Sequence, residues 1–199
     1  MIGFHGCDAK VAHAVITGQV ELRPSVNNYD WLGHGIYFGE RSPSRAMQFA
    51  IELKQNKGRA VCPIEEPAVV GAVLDLGHCL DLSDYKDLQY VKFTFSGLSK
   101  IVSDLGASLP KNLRIGQTED LLLRELDCAV LEYLFKINDL EGNRHFDSVR
   151  SPFIEGDELY PDSGFRDKNH IQICIRNTEC IKAYFRPRNA EYIRLYSMS

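Results

Sequence analysis

Three short pieces of this 199-residue chain carry residue types suited to handling a small polar ligand: His5-Gly6, Gly35-Ile36-Tyr37-Phe38, and Gln172 within residues 170–176. Glutamine can hold a hydroxyl but cannot take its proton, so a nucleophile needing deprotonation would turn to another group. Glu155, in Phe153-Ile154-Glu155-Gly156, is the candidate carboxylate. Thiol and metal chemistry have no such support. The six cysteines (Cys7, Cys62, Cys79, Cys128, Cys174, Cys180) form no CxxC pair, stand at no metal-ligand spacing from a histidine, and fit no Cys–His–acid set. They read as reduced thiols, with no metal bound. A purely structural reading stays open for each residue: a strand-end histidine at His5, a half-buried strand aromatic at Tyr37, a sheet-edge amide at Gln172, and a solvated acid at Glu155. His34, between two glycines, reads as exposed in a flexible loop.

The elements that must position these residues follow from periodicity and punctuation. Residues 2–6 form a short β-prone start, and Asp8 caps a helix whose apolar positions Ala9, Val11, Ala12, Val15 and Ile16 share one face before Gly18. Residues 23–35, rich in Pro, Ser, Asn, Asp and Gly, form a long surface loop leading into a strand at 36–39. Ser42-Pro43 starts a second helix, with Ala46, Phe49, Ala50 and Leu53 as its buried stripe before Gly58. Residues 68–76 read as a buried strand, 83–105 as broken helical material, and 118–138 as the longest helix, with Arg124 and Asp127 pairing at i, i+3. Strands are expected at 153–156, 170–176 and 181–186. The expectation is a single α+β domain over residues 1–199 with a helical middle third.

Composition agrees with a globular protein: 44% hydrophobic, 25% charged, net charge −4. That balance excludes a protein that coats nucleic acid over its whole surface. Residues 166–199 nevertheless carry seven cations against three carboxylates, a local basic excess. The first ten residues lack a basic leader followed by an apolar core, and the longest apolar stretch, 68–74, is too short to span a bilayer, so a cytoplasmic location with no membrane partner is expected.

The text FHGC at 4–7, GHGIYFGERSPSRAMQFA at 33–50 and NHIQICIR at 169–176 resembles, in that order, the diphtheria-toxin-like branch of the ADP-ribosyltransferases, which includes the poly(ADP-ribose) polymerases. The resemblance implies a split β-sheet core with flanking helices and NAD as the substrate. Cleaving the nicotinamide–ribose bond passes through an oxocarbenium-like state, which needs a platform for the ring, backbone bonds to the carboxamide and a polar group on the ribose. By resemblance, Gly6 bonds the carboxamide, His5 a ribose hydroxyl, Tyr37 stacks on the nicotinamide, and Ser42 or Ser44 adds a hydroxyl. The second stacking aromatic falls at Met47 or Phe49, with Phe49 preferred. The third signature position, a glutamate in the family, holds Gln172, which implies single-unit transfer rather than polymer growth.

The resemblance implies an NAD-dependent mono-ADP-ribosyltransferase of the bacterial stand-alone toxin type, accompanied by a cognate inhibitor or antitoxin protein. Residues 161–168 would be its target-recognition loop, with Phe165 and Arg166 at the tip and Lys168 behind. Arg150 or Lys168 would meet the NAD pyrophosphate. The basic tail and Phe165 beside Arg166 lean the target toward RNA or DNA over protein. Two other readings stay open: a catalytically silent module that binds NAD or ADP-ribose, and an NAD-consuming RNA phosphotransferase.

Overall fold

Asp8 joins the first strand to the first helix: its carboxylate accepts from Lys10 N at 2.9 Å, and capping there leaves the strand before it free to pair. The computed structural model describes residues 1–56, 63–114 and 120–188. Gly58, Cys62, Thr118, Glu191 and Arg194 lie outside the described residues. In chain order the elements begin β1 (Ile2–Asp8), α1 (Ala9–Ile16), β2 (Ile36–Glu40), α2 (Pro43–Gln55), β3 (Pro67–Leu74), β4 (Cys79–Asp81) and α3 (Tyr85–Asp104). They continue β5 (Asn112–Arg114), β6 (Leu121–Arg124), α4 (Glu125–Leu140), β7 (Ser148–Phe153), β8 (His170–Ile175) and β9 (Ile181–Phe185). The fold class is α+β, as expected.

The chain divides into two units. The first gathers Met1–Arg23, Tyr37–Asp75 and Thr178–Ser199, and its strands run β2-β1-β3-β9 with antiparallel neighbours. α2 packs on β1 and β3, burying Ala46 and Met47 against Val69, with Phe4 and Ile51 beside them. The second gathers Pro24–Ile36 and Leu76–Asn177, with strands in the order β4-β7-β8 and the helix pair α3, α4. Leu80, Val149, Ile173 and Ile175 are fully buried there. Ser148 and Cys174 beside them are buried as well, so both faces of β7 and β8 are covered at these positions.

Three sequence expectations need correction. Residues 83–105 are not broken: α3 is one helix of 20 residues, the longest described, capped by Asp84 through Lys86 N. Its hydroxyl residues bond back along the helix instead of interrupting it, Thr94 to the Tyr90 carbonyl and Ser96 to the Lys92 carbonyl. The helix expected from 118 begins only at Glu125, because Leu121–Arg124 pairs with Asn112–Arg114 as β6. Asn112 then caps α4 from outside, its Oδ1 accepting from Leu126 N and Asp127 N. Finally, the strand expected at 153–156 is β7, which ends at Phe153. No described helix is long and apolar enough to cross a membrane.

Candidate functional site

In the first unit the register of β1 against β2 decides where His5 and Gly6 are presented. Ile2 accepts from Arg41 N, and Phe4 pairs with Gly39, so the even-numbered residues of β1 turn their backbone groups toward β2. Met1 accepts from Leu74 N, so the odd ones turn toward β3. Continued by two residues, the ladder would set Gly6 against Tyr37. It stops at Phe4–Gly39, and the Tyr37 carbonyl instead takes His5 Nδ1 at 2.8 Å. A carbonyl acceptor makes Nδ1 the donor, so the neutral ring keeps its lone pair on Nε2. Gly6 thus presents an amide and a carbonyl outside that ladder. A side chain there would collide with the Ala46 carbonyl oxygen, so only glycine fits.

The remaining residues of this unit sort by their place on α2. Ser42 occupies the N-cap position with Pro43 after it, but its hydroxyl makes no capping bond. Ser44 is half-buried in the first turn, and Tyr37 is half-buried on β2. Of the two candidates for a second aromatic position, Met47 is 6% exposed and belongs to the core, whereas Phe49 is 40% exposed under the Arg45 guanidinium. Phe49 is therefore not part of the buried stripe of α2 expected from sequence; Met47 takes that place beside Ala46 and Ala50.

In the second unit Gln172 is held at both ends of its amide. Its Oε1 accepts from Trp31 Nε1 at 2.8 Å, and its Nε2 lies 2.9 Å from His170 Nε2. His170 Nδ1 is 2.7 Å from the Lys168 carbonyl, so Nδ1 carries the proton and Nε2 accepts from the glutamine. Every donor and acceptor in this chain has one consistent direction. Trp31 itself lies under the Arg124 guanidinium, 4.2 Å from ring centre to Cζ, and against the Phe153 ring at 4.8 Å. Arg124 bonds Asp127, the i, i+3 pair expected from sequence. The role of Trp31 was not legible, although the chain's single tryptophan inside a polar loop is a signal.

Glu155 is 9% exposed, so the solvated reading is overturned. Its backbone is pinned on both sides, the amide donating to Asn169 Oδ1 at 3.1 Å and the carbonyl accepting from Lys168 N at 3.2 Å. Phe165 is well exposed, and Arg166 faces Glu158 at 3.7 Å. Arg150 is paired with Asp81 at 3.0 Å. The loop at His34 is not slack: the His34 amide donates to Glu132 Oε1 at 2.7 Å, and Arg176 bonds the same oxygen at 2.9 Å.

Electrostatics separates the two aspartate and histidine anchors of β1. Burial opposes the charge on Asp8, but bonds from the amides of Glu66, Lys10 and Glu65 outweigh it and hold its carboxyl below the usual range. His5 goes the other way. Burial pushes its imidazole below the ordinary value, with the Tyr37 carbonyl only partly compensating. Among the described residues no group of three or more His, Cys, Asp or Glu could hold a metal ion.

No protein-family model matches the chain, and no solved structure matches it. Among curated proteins the chain is similar to an uncharacterized protein of Methanocaldococcus jannaschii, 27% identical over 198 residues that cover 90% of this chain and 83% of the archaeal one.

Proposed function

We propose that the chain is an NAD-dependent mono-ADP-ribosyltransferase of the diphtheria-toxin-like type, with the split sheet of that fold. The observation that carries the reading is the opening of the β1–β2 ladder after Phe4–Gly39. It frees a backbone amide and carbonyl at Gly6 from that ladder, suited to a carboxamide, beside a histidine with a fixed tautomer and a half-buried tyrosine. In this reading Gly6 bonds the nicotinamide carboxamide and Tyr37 stacks on the ring. His5 Nε2 accepts from a ribose hydroxyl, Ser42 or Ser44 adds a hydroxyl, and Phe49 supplies the second aromatic face. The resemblance names Gln172 for a ribose hydroxyl, and Glu155 is the candidate proton acceptor; both belong to the second unit. The C1′–N1 bond breaks with its electron pair leaving on nicotinamide, while the acceptor group of a macromolecular target bonds C1′ and gives up its proton.

The test is nicotinamide release from NAD labelled in its adenine half, with lysate as the target source. Tyr37→Ala is the control variant, because the bond from His5 goes to the Tyr37 backbone and survives the substitution. Release and labelling by wild type, lost in a Tyr37→Ala protein of unchanged circular dichroism, is the expected result; a fully active variant overturns it. A silent NAD-binding module is the second reading, favoured by the Gln172 amide being engaged by both Trp31 and His170. Calorimetric binding of NAD without nicotinamide release would select it.

A further inference from the structure

Residues 158–166 form a small two-stranded pin with a rigid tip. Glu158 and Arg166 bridge antiparallel, and Leu159 N donates to the Phe165 carbonyl at 3.1 Å. Ser163 N donates to the Tyr160 carbonyl at 2.9 Å, with Pro161 second in the turn and Asp162 third at φ +64. That is type II geometry, whose third position favours glycine. The buried Ser163 accepts from Phe165 N at 3.0 Å. At the base, Asp167 accepts from Asp157 N at 2.9 Å, and Asp120 accepts from Gly156 N at 2.9 Å.

Opposed residues of an antiparallel pair share a face. Glu158 and Arg166 therefore occupy one face, 3.7 Å apart, while Leu159 and Phe165 share the other. Leu159, Tyr160 and Phe165 are 57%, 58% and 64% exposed, an apolar tip on a segment already ordered. Ordering is a large part of what binding costs, so a fixed tip of this kind suits docking. The surrounding charge is acidic: residues 154–168 hold five carboxylates against Arg166 and Lys168.

We propose that this pin docks a protein surface in which an apolar pocket is rimmed by lysine and arginine. Aromatic exposure alone would also suit a nucleic-acid base, and the sequence leaned that way. Phosphates need cations, however, and here carboxylates outnumber cations while Arg166 already faces Glu158. Charge therefore favours a basic protein partner. That the partner is the acceptor of ADP-ribose rests on the transferase reading; the docking itself does not.

The test is fluorescence anisotropy with the full chain and three dye-labelled probes: a short peptide of lysines interspersed with leucines, its glutamate counterpart, and a single-stranded oligonucleotide. The lysine peptide binds, Phe165→Ser weakens it by at least about tenfold, and Asp162→Gly, which suits the positive φ, retains it. The other two probes do not bind. Oligonucleotide binding that Phe165→Ser abolishes overturns the proposal in favour of nucleic acid. Lysine-peptide binding indifferent to Phe165→Ser overturns it in favour of diffuse surface charge, and no binding of that peptide overturns it outright. Nicotinamide release on the same preparation is scored separately: docking without release removes the transferase reading and keeps the pin, and release without docking does the reverse.

Discussion

The indole N–H of Trp31 donates to Gln172 Oε1 at 2.8 Å, joining two residues 141 positions apart. Because the same amide donates to His170 Nε2, its orientation is decided by two neighbours at once. Replacing Gln172 by glutamate keeps the acceptor for Trp31 but sets a second oxygen against the lone pair of His170, so the donor to that ring is lost. Trp31 is the chain's single tryptophan, so Gln172→Leu, which removes its acceptor, should shift the emission maximum. An unmoved spectrum would mean the indole N–H is not committed to Gln172.

Stability should fall early on acidification, and His5 gives the sign. Its folded value lies below its unfolded value of 6.5, so between the two the unfolded chain binds a proton that the folded chain refuses. Stability is therefore full above about pH 6.5 and declines as pH drops toward the folded value. Asp8 and Asp147 add a second loss below their unfolded value of 3.8, since their folded carboxyls are held lower. Urea unfolding of His5→Gln should start from lower stability yet lose the first of these declines.

Two glycines with opposite reasons for being glycine predict unequal costs. Gly6→Ala drives a methyl into the Ala46 carbonyl, a backbone atom that cannot step aside, and should cost about 3 kcal/mol or more. Gly18 has φ +73 with open space around it, so Gly18→Ala carries only the conformational penalty, about 1 kcal/mol. Denaturant midpoints of the two variants measure the order.

Thiol reactivity follows burial. Desolvation pushes Cys7 up to about 12 and Cys128 up to about 11, with neighbouring Asp8 and Glu132 adding to the effect. Neither should react with iodoacetamide at neutral pH until the chain is unfolded, as mass spectrometry of the two peptides would show.

The ends of the chain were more legible than its middle. Asp8 and Pro43 announce α1 and α2 because caps and first-turn prolines act over three or four residues. α3 was obscured by Thr94, Ser96 and Gly97, residues of low helix propensity that packing on α4 overrides. The start of α4 was obscured for a different reason: its cap, Asn112, lies in another strand. His5, Gly6 and Tyr37 could be picked out by type and order, but the local geometry that links them depends on where a ladder stops, which no residue spells. Trp31 and His170 were missed because their importance lies in a partner's hydrogen bonds. Glu155 was misjudged because the Asn169 side chain and the Lys168 amide, more than ten residues downstream, enclose it.

The first unit is stitched from three stretches of chain, and its last strand arrives late. β3 borders β1 on one side, while its other side waits for β9, Leu74 pairing with Ile181 and Asp75 bonding Cys180. During synthesis, then, a nascent chain that has already emitted His5, Gly6 and Tyr37 still has β3 as a raw edge. Closure comes only once residues 181–185 have cleared the ribosome. On the proposed activity, a catalyst that consumes a metabolite its own cell depends on would be kept unfinished until that strand had emerged.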